Sequence, residues 1–269
     1  MSQTPPAAAP TLQGQMFLFR KPELLTREKH AGLGISRPER PFGFAEAVRA
    51  VPLTVSEVAT AMKHYPIIFA DVKNPLPLAV VGLIDDDNLF VENTGDWDER
   101  AYVPGYLRRY PFALAADRGS DLSNPRMAII VDEAYEGIQQ GGTLPFFGDA
   151  GPSAEMQQAI DYCQQYERDR AITQQFATHL ANYDLLADQV AQFTPEGGEA
   201  KPFARYIGVE EKRLQDLADD KYLELRKSNI LPILYAQLMS MGNWRTLMDR
   251  RARRYNLTGD EILQPRKTA

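Results

Sequence analysis

Hydrophobic and polar positions change rhythm near the middle of this chain. Between about residues 50 and 150 the apolar residues come in short runs: IIFADV (67–72), LAVVGLI (78–84), LFVEN (89–93), FALAAD (112–117) and MAIIVD (127–132). The runs are β-branched or apolar and are cut by turn residues such as Asn74-Pro75 and Asp85-Asp86-Asp87-Asn88, which predicts strands. Links this short favour an antiparallel meander, since parallel strands need longer crossovers. MFLF at 16–19 predicts an edge strand, and LGISRPERPFGF (33–44), punctuated by proline and arginine, an extended surface loop. VPLTVSEVATAMKHY (51–65) predicts a short helix that Thr54 or Ser56 caps, with Val55, Val58, Ala59 and Met62 at helical spacing.

GGTLPFFGDAG (141–151) is a turn-rich connector, and beyond it the period becomes helical. Residues 153–186 hold no proline or glycine. Ser153 followed by Met156, Ile160 and Cys163 predicts a capped amphipathic helix. ERDR at 167–170 interrupts the apolar stripe, which resumes at Ile172, Phe176 and Leu180, so one long helix and two shorter ones are both open. QVAQF and FARYIGV flank TPEGGEAKP as a hairpin would. From Glu210 to about Tyr255 the chain reads as helical: Leu214 and Leu217, then Tyr222, Leu223 and Leu225, then the apolar run Ile230 to Met241 with Pro232 in a first turn, then Trp244, Leu247 and Met248. The expected fold class is α+β, a mostly antiparallel sheet in the N-terminal half with a helical C-terminal half packed on it. The expected division is a disordered tail over residues 1–15, a β-rich region over 16–150, a mainly helical region integrated with it over 151–256, and a polar tail over 257–269.

Composition narrows the function classes. A chain of 269 residues with 44% hydrophobic and 25% charged residues can bury a substantial core. A net charge of -6 argues against wrapping nucleic acid. The single cysteine, Cys163, permits no intrachain disulfide, which fits a reducing compartment, and its place on the apolar helix face predicts a buried side chain. No apolar run reaches the roughly 18 residues that a span needs. The N-terminus lacks the basic and apolar regions of a secretory signal, so the expected location is cytoplasmic.

No GxSxG, P-loop, GxGxxG, HxH, HExxH or CxxC pattern is present, so neither a cofactor nor a metal is expected. The acidic turn at Asp85 to Asn88 lacks the alternation and central glycine of a calcium loop and predicts a solvated hairpin turn. Arg245, Arg250, Arg251, Arg253 and Arg254 make the last helix basic, which predicts a solvated helix end suited to the dipole. The densest chemistry lies at Asn88 to Leu114. Trp97, Tyr102, Tyr106, Arg108, Arg109, Tyr110 and Phe112 can stack on and hydrogen-bond a peptide, a small ligand or a partner protein; they can equally pin a loop to its own core.

That stretch, NLFVENTGDWDERAYVPGYLRRYPF, resembles the Gly-x-Trp, Tyr-Val-Pro and Arg-Arg-Tyr-Pro-Phe pattern of the bacterial SapC family, named for a protein associated with a surface-layer locus. The resemblance runs from about Val51 to Tyr255. TLPFFGDAG is similar to the family's Pro-Leu-Phe and Asp-Gly turn, although the leucine precedes the proline and Ala150 interrupts Asp-Gly; ILPILYAQLMSMGNWRTLMDRRA is similar to its C-terminal helical signature. The resemblance implies a bacterial protein that accompanies flavin-dependent tryptophan-halogenase-like proteins and TonB-dependent receptors, hence a role in uptake, a surface system or peptide modification. It implies no catalytic residues.

The leading expectation is a non-catalytic binding or accessory protein that uses the 97–112 cluster. The alternative is an enzyme or enzyme subunit working with a halogenase-like partner, drawing on His64, Asp71, Asp96, Asp98, Tyr102 and Arg108 if they converge. A homodimer assembled through Ile230 to Met241 is a third expectation.

Overall fold

The computed structural model describes residues 16–85, 87–116, 127–194 and 199–266. The first half of the chain carries β1 (Pro22–Leu24), α1 (Arg27–His30), β2 (Leu33–Ile35), β3 (Ala50–Pro52), α2 (Val58–Ala61), β4 (Ile67–Phe69), β5 (Pro77–Val80), α3 (Gly105–Arg108), β6 (Phe112–Ala116) and β7 (Met127–Asp132). Then come β8 (Ile138–Gln140), β9 (Leu144–Pro145), α4 (Ala154–Leu180), β10 (Leu186–Phe193), β11 (Lys201–Val209), α5 (Glu211–Gln215), α6 (Asp219–Lys227), α7 (Leu231–Ser240) and α8 (Asn243–Tyr255). The class is α+β, with antiparallel sheets and with helices concentrated in the C-terminal half. The chain forms two compact units: residues as far as Pro38 with Arg109–Gln165, and Glu39–Arg108 with the residues from Tyr166 on.

The first unit holds two three-stranded sheets, ordered β1-β7-β6 and β8-β2-β9. Its core gathers Phe112, Leu114, Val131, Phe146, Met156 and Cys163. Cys163 is buried there as its helical position predicts. β7 coincides with MAIIVD. No strand forms at 16–19; Phe19 donates back to the Met16 carbonyl in a turn, with Leu18 at φ 71°. The strand starts later because the buried Asp132 carboxylate accepts the Arg20 and Lys21 amides at 2.9 and 2.7 Å, so pairing begins at Pro22 opposite Asp132. LGI is likewise a strand and not loop. Gly34 lets β2 lie against β9, where a Cβ would come within 2.6 Å of the Leu144 carbonyl. Ser153 starts α4 as expected, its hydroxyl accepting the Met156 amide at 3.0 Å, and ERDR leaves the helix unbroken from Ala154 to Leu180.

The second unit is built on a five-stranded antiparallel sheet ordered β10-β11-β4-β5-β3. The expected hairpin is β10–β11, and its turn includes residues outside those described. β11 meets β4 at a single register pair, Ile207 opposite Phe69. Gln237 of α7 ties the same two strands together: it donates to the Ile67 carbonyl and accepts the Val209 amide, each at 3.1 Å. Ser240 accepts the Ile67 amide at 2.9 Å. A buried polar pair that is fully hydrogen-bonded fixes register where an apolar pair would permit sliding. Beneath α7 the core collects Phe176, Leu180, Leu185, Leu225, Ile230 and Leu234.

Two expectations change here. LFVEN is not a strand; it makes one bridge, Val91 to Trp97, because Arg254 takes the Asn88, Leu89 and Val91 carbonyls that a neighbouring strand would have used. The five apolar runs therefore do not form one meander, and FALAAD and MAIIVD pair in the first unit. The segment 51–65 gives β3 and then the expected short helix, a turn of 3₁₀ that runs into α2, begun by Thr54 in a capping box in which its amide donates to the Glu57 carboxylate at 2.9 Å.

Candidate functional site

Helix α8 and the loop 88–100 bound a polar concavity of the second unit. Asn243, at the start of α8, donates to the Met62 and Tyr65 carbonyls at 2.7 and 3.0 Å, and this fixes where the helix begins. Thr246, Arg250 and Arg253 follow one another at spacings of four and three, so one helical face presents them together with Arg254. The facing loop is held by its own backbone. Glu92 donates to the Asp96 carbonyl at 2.7 Å and Gly95 to the Glu92 carbonyl at 2.8 Å. Gly95 sits at φ 79°, and a Cβ there would meet the Arg40 Cβ at 2.5 Å, so glycine is required both by the backbone and by the close approach.

Arg250 joins helix to loop. It forms a 2.5 Å ion pair with Asp98, and its guanidinium lies 4.1 Å over the Phe90 ring. Phe90 in turn stacks on Trp97, centroid to centroid 5.8 Å and 17° between planes. Burial works against the charge of Asp98, but the Arg100 amide at 2.9 Å and the Arg250 guanidinium hold its pKa below the ordinary carboxylate value.

The resulting cleft has a volume of about 520 Å³ and is lined by Glu92, Asn93, Asp98, Arg100, Thr246 and Arg253 among others. A second recess of about 350 Å³, with Arg40, Glu46, Asp87 and Tyr255 in its wall, shares Glu92, Asn93 and Arg254 with the first. A further cavity of about 450 Å³, lined by Ile172, Phe176, His179 and Ile233, has histidine as its one titratable lining type.

Of the five arginines of α8, Arg245 and Arg253 are exposed as expected, but Arg250, Arg251 and Arg254 are drawn into the fold. Arg251 is fully buried, paired to Asp85 at 2.5 Å and donating to the Ile262 and Gln264 carbonyls at 2.8 and 2.6 Å. Asp85 also pairs with Arg266 at 2.9 Å, and Asp87 accepts the Tyr255 hydroxyl. The acidic turn is thus not simply solvated: Asp85 and Asp87 are the counterpart of the basic helix. Asp86 lies outside the described residues.

The seven residues singled out from the sequence fall into two groups. In the second unit, Trp97 is buried under the cleft; Tyr102 donates to Glu57 at 2.9 Å; Tyr106 packs edge-on to Tyr166; exposed Arg108 donates to the Tyr102 hydroxyl at 2.7 Å. In the first unit, Arg109 lies over Phe19, Tyr110 donates to Asp132 at 2.8 Å, and Phe112 packs edge-on to Phe146. Of the six acid–base candidates, only Asp98 lines the cleft. Asp71 and Asp96 serve local turns, accepting from the Lys73 amide and the Thr94 hydroxyl. The pKa of His64 is lowered by burial and by Lys63 and Arg250. Among the described residues, no group of three or more His, Cys, Asp or Glu is placed to hold a metal ion, and no helix is long and apolar enough to cross a membrane.

Arg100, Arg250, Arg253 and Glu92 were not on the sequence-based site. The signal that finds them is the helical spacing of Thr246, Arg250 and Arg253. Compared with known proteins, the chain matches the SapC family model over residues 25–247. No curated protein matches it, and no solved structure does.

Proposed function

The chain belongs to the SapC family, and from that premise we propose that it is a non-catalytic binding or accessory protein that holds an anionic ligand, a peptide carboxylate or a small acid, in the cleft between α8 and the loop 88–100. One observation carries the reading: Arg100 and Arg253 both reach this cleft with guanidinium groups that the fold leaves largely unused. Among the described residues the Arg100 guanidinium makes only a 3.6 Å contact to Asp98, and Arg253 gives its Nε to the Asp249 carbonyl at 3.2 Å. Arginine presents a planar fork of donors that suits a carboxylate. Arg250 is already paired with Asp98 and serves as the floor, with Phe90 and Trp97 beneath it. The company that the family resemblance implies, halogenase-like proteins and TonB-dependent receptors, fits a protein that holds an acidic solute and passes it on.

The test is an amide-resolved NMR titration of the full chain with a pool of N-acetylated tripeptides, which carry a carboxylate and no amine. Shifts should concentrate at Arg100, Thr246 and Arg253. They should vanish in Arg100→Ala/Arg253→Ala, with the melting temperature unchanged because both side chains are exposed. A titration that leaves these amides unmoved overturns the reading.

A further inference from the structure

We propose that the two recesses flanking Arg254 read opposite ends of one zwitterion, the anionic end against Arg100 and Arg253 and an ammonium end against Glu92 and Asp87. The inference rests on the proposed anion site and extends it to the ligand class: a free α-amino acid or a short peptide with both termini unblocked.

The recesses share Glu92, Asn93 and Arg254, so a single molecule can occupy both. Their volumes, about 520 and 350 Å³, fall in the small-molecule range of roughly 300–1,000 Å³. What separates them is which charges remain available. In the first recess the carboxylate of Asp98 is satisfied by Arg250 and by the Arg100 amide, and apart from Glu92 on the shared wall the charged groups left over are the donors of Arg100 and Arg253.

In the second recess the situation is reversed. Arg40 is held by the Asn93 carbonyl at 2.7 Å and by Glu46. Arg254 is held by three carbonyls, the nearest at 2.7 Å. The groups left over there are acceptors. Glu92 is exposed, and its carboxylate has no hydrogen-bond or ion-pair partner among the described residues, its backbone alone being engaged by Asp96 and Gly95. Asp87 is nine-tenths buried: one carboxylate oxygen accepts the Tyr255 hydroxyl, and Oδ1 has no hydrogen-bond partner at all. A buried carboxylate oxygen without a donor is costly, and an ammonium in the recess beside it offsets that cost by its charge. Glu92 on the shared wall also disfavours a second negative charge, which selects a zwitterion over a dianion.

Three tripeptide pools of the same composition separate the possibilities: free at both ends, N-acetylated, and C-amidated. Each is titrated into the full chain. The free pool should bind about tenfold tighter than the N-acetylated pool. The gap should close in Glu92→Gln, a substitution at an exposed side chain that leaves folding intact. Equal affinity for the free and N-acetylated pools overturns the zwitterion inference and leaves the carboxylate site standing. A C-amidated pool that binds as tightly as the free one overturns the carboxylate site and this inference with it, as does the absence of shifts with every pool.

Discussion

Asp98 and Arg250 stand 152 residues apart in the chain and 2.5 Å apart in the fold. The pair is the seam between the signature loop and the last helix, and Asp98 is almost wholly out of water while Arg250 is partly so. Removing one partner strands the other. Asp98→Asn should lower the unfolding free energy by about 3 kcal/mol in urea titrations near neutral pH.

The same pair sets a pH signature. The folded pKa of Asp98 is depressed below the 3.8 of an ordinary aspartate, so its contribution is full above that value and is lost as the pH falls through the folded pKa. The stability gap between wild type and Asp98→Asn should hold steady from pH 7 to 5 and narrow below about 3.8. A gap that stays constant down to pH 2 would contradict this assignment.

Trp97 and Arg108 separate support from surface. Trp97 is only 6% exposed and carries Phe90, on which Arg250 rests. Trp97→Ala should cost about 3–5 kcal/mol and weaken carboxylate binding through Arg250. Arg108→Ala removes an exposed cation from the Tyr102 ring, 5.2 Å away, and should cost less than about 1 kcal/mol. Chemical denaturation of the two variants side by side decides it.

Arg251 and Arg266 share Asp85 but differ in exposure, 0% against 41% at the side chain. Arg251→Ala leaves a carboxylate and two carbonyls without their buried donor and should cost upwards of about 3 kcal/mol. Arg266→Ala should cost less than about 1 kcal/mol. Near-equal losses in thermal melts would mean that the pair acts as one network.

Glu133 gives the first unit its own acid limb. Its ion pair with Lys21 at 2.8 Å, opposed by burial and reinforced by Lys29 and His30, brings its pKa down from 4.5 to about 2. Stability from this group is present above pH 4.5 and drains away between 4.5 and about 2. Glu133→Gln should differ from wild type at pH 6 and converge with it at pH 2 in hydrogen-exchange protection of β7.

Much of the fold is legible because its signals are local. Ser153 caps α4, MAIIVD is β7, and Cys163 is buried where helical spacing places it. The misses share a cause: a partner remote in sequence. LFVEN has strand composition, but Arg254, some 163 residues away, takes its Val91 carbonyl. The arginines of α8 read as solvated because nothing local announces Asp85 or Asp98. The stretch from Trp97 to Phe112 is continuous as a signature, yet its first four candidate residues serve one unit and its last three the other. The cleft residues were half visible: their spacing along α8 was readable, but the unused valence of Arg100 and Arg253 appears only when Arg250, Arg251 and Arg254 have been given their partners.

The single register pair between β11 and β4 also has a consequence in time. During synthesis Phe69 emerges 140 residues before Val209 completes β11, an interval on the order of ten seconds at ordinary elongation rates. Through that interval β4 has β5 on one side and an open edge on the other, in a nascent chain that cannot yet supply Gln237 to cover it. The strand most central to the finished sheet is therefore the one longest exposed to the wrong neighbour, and its three-residue length, Ile67–Phe69, limits how much of a template it offers.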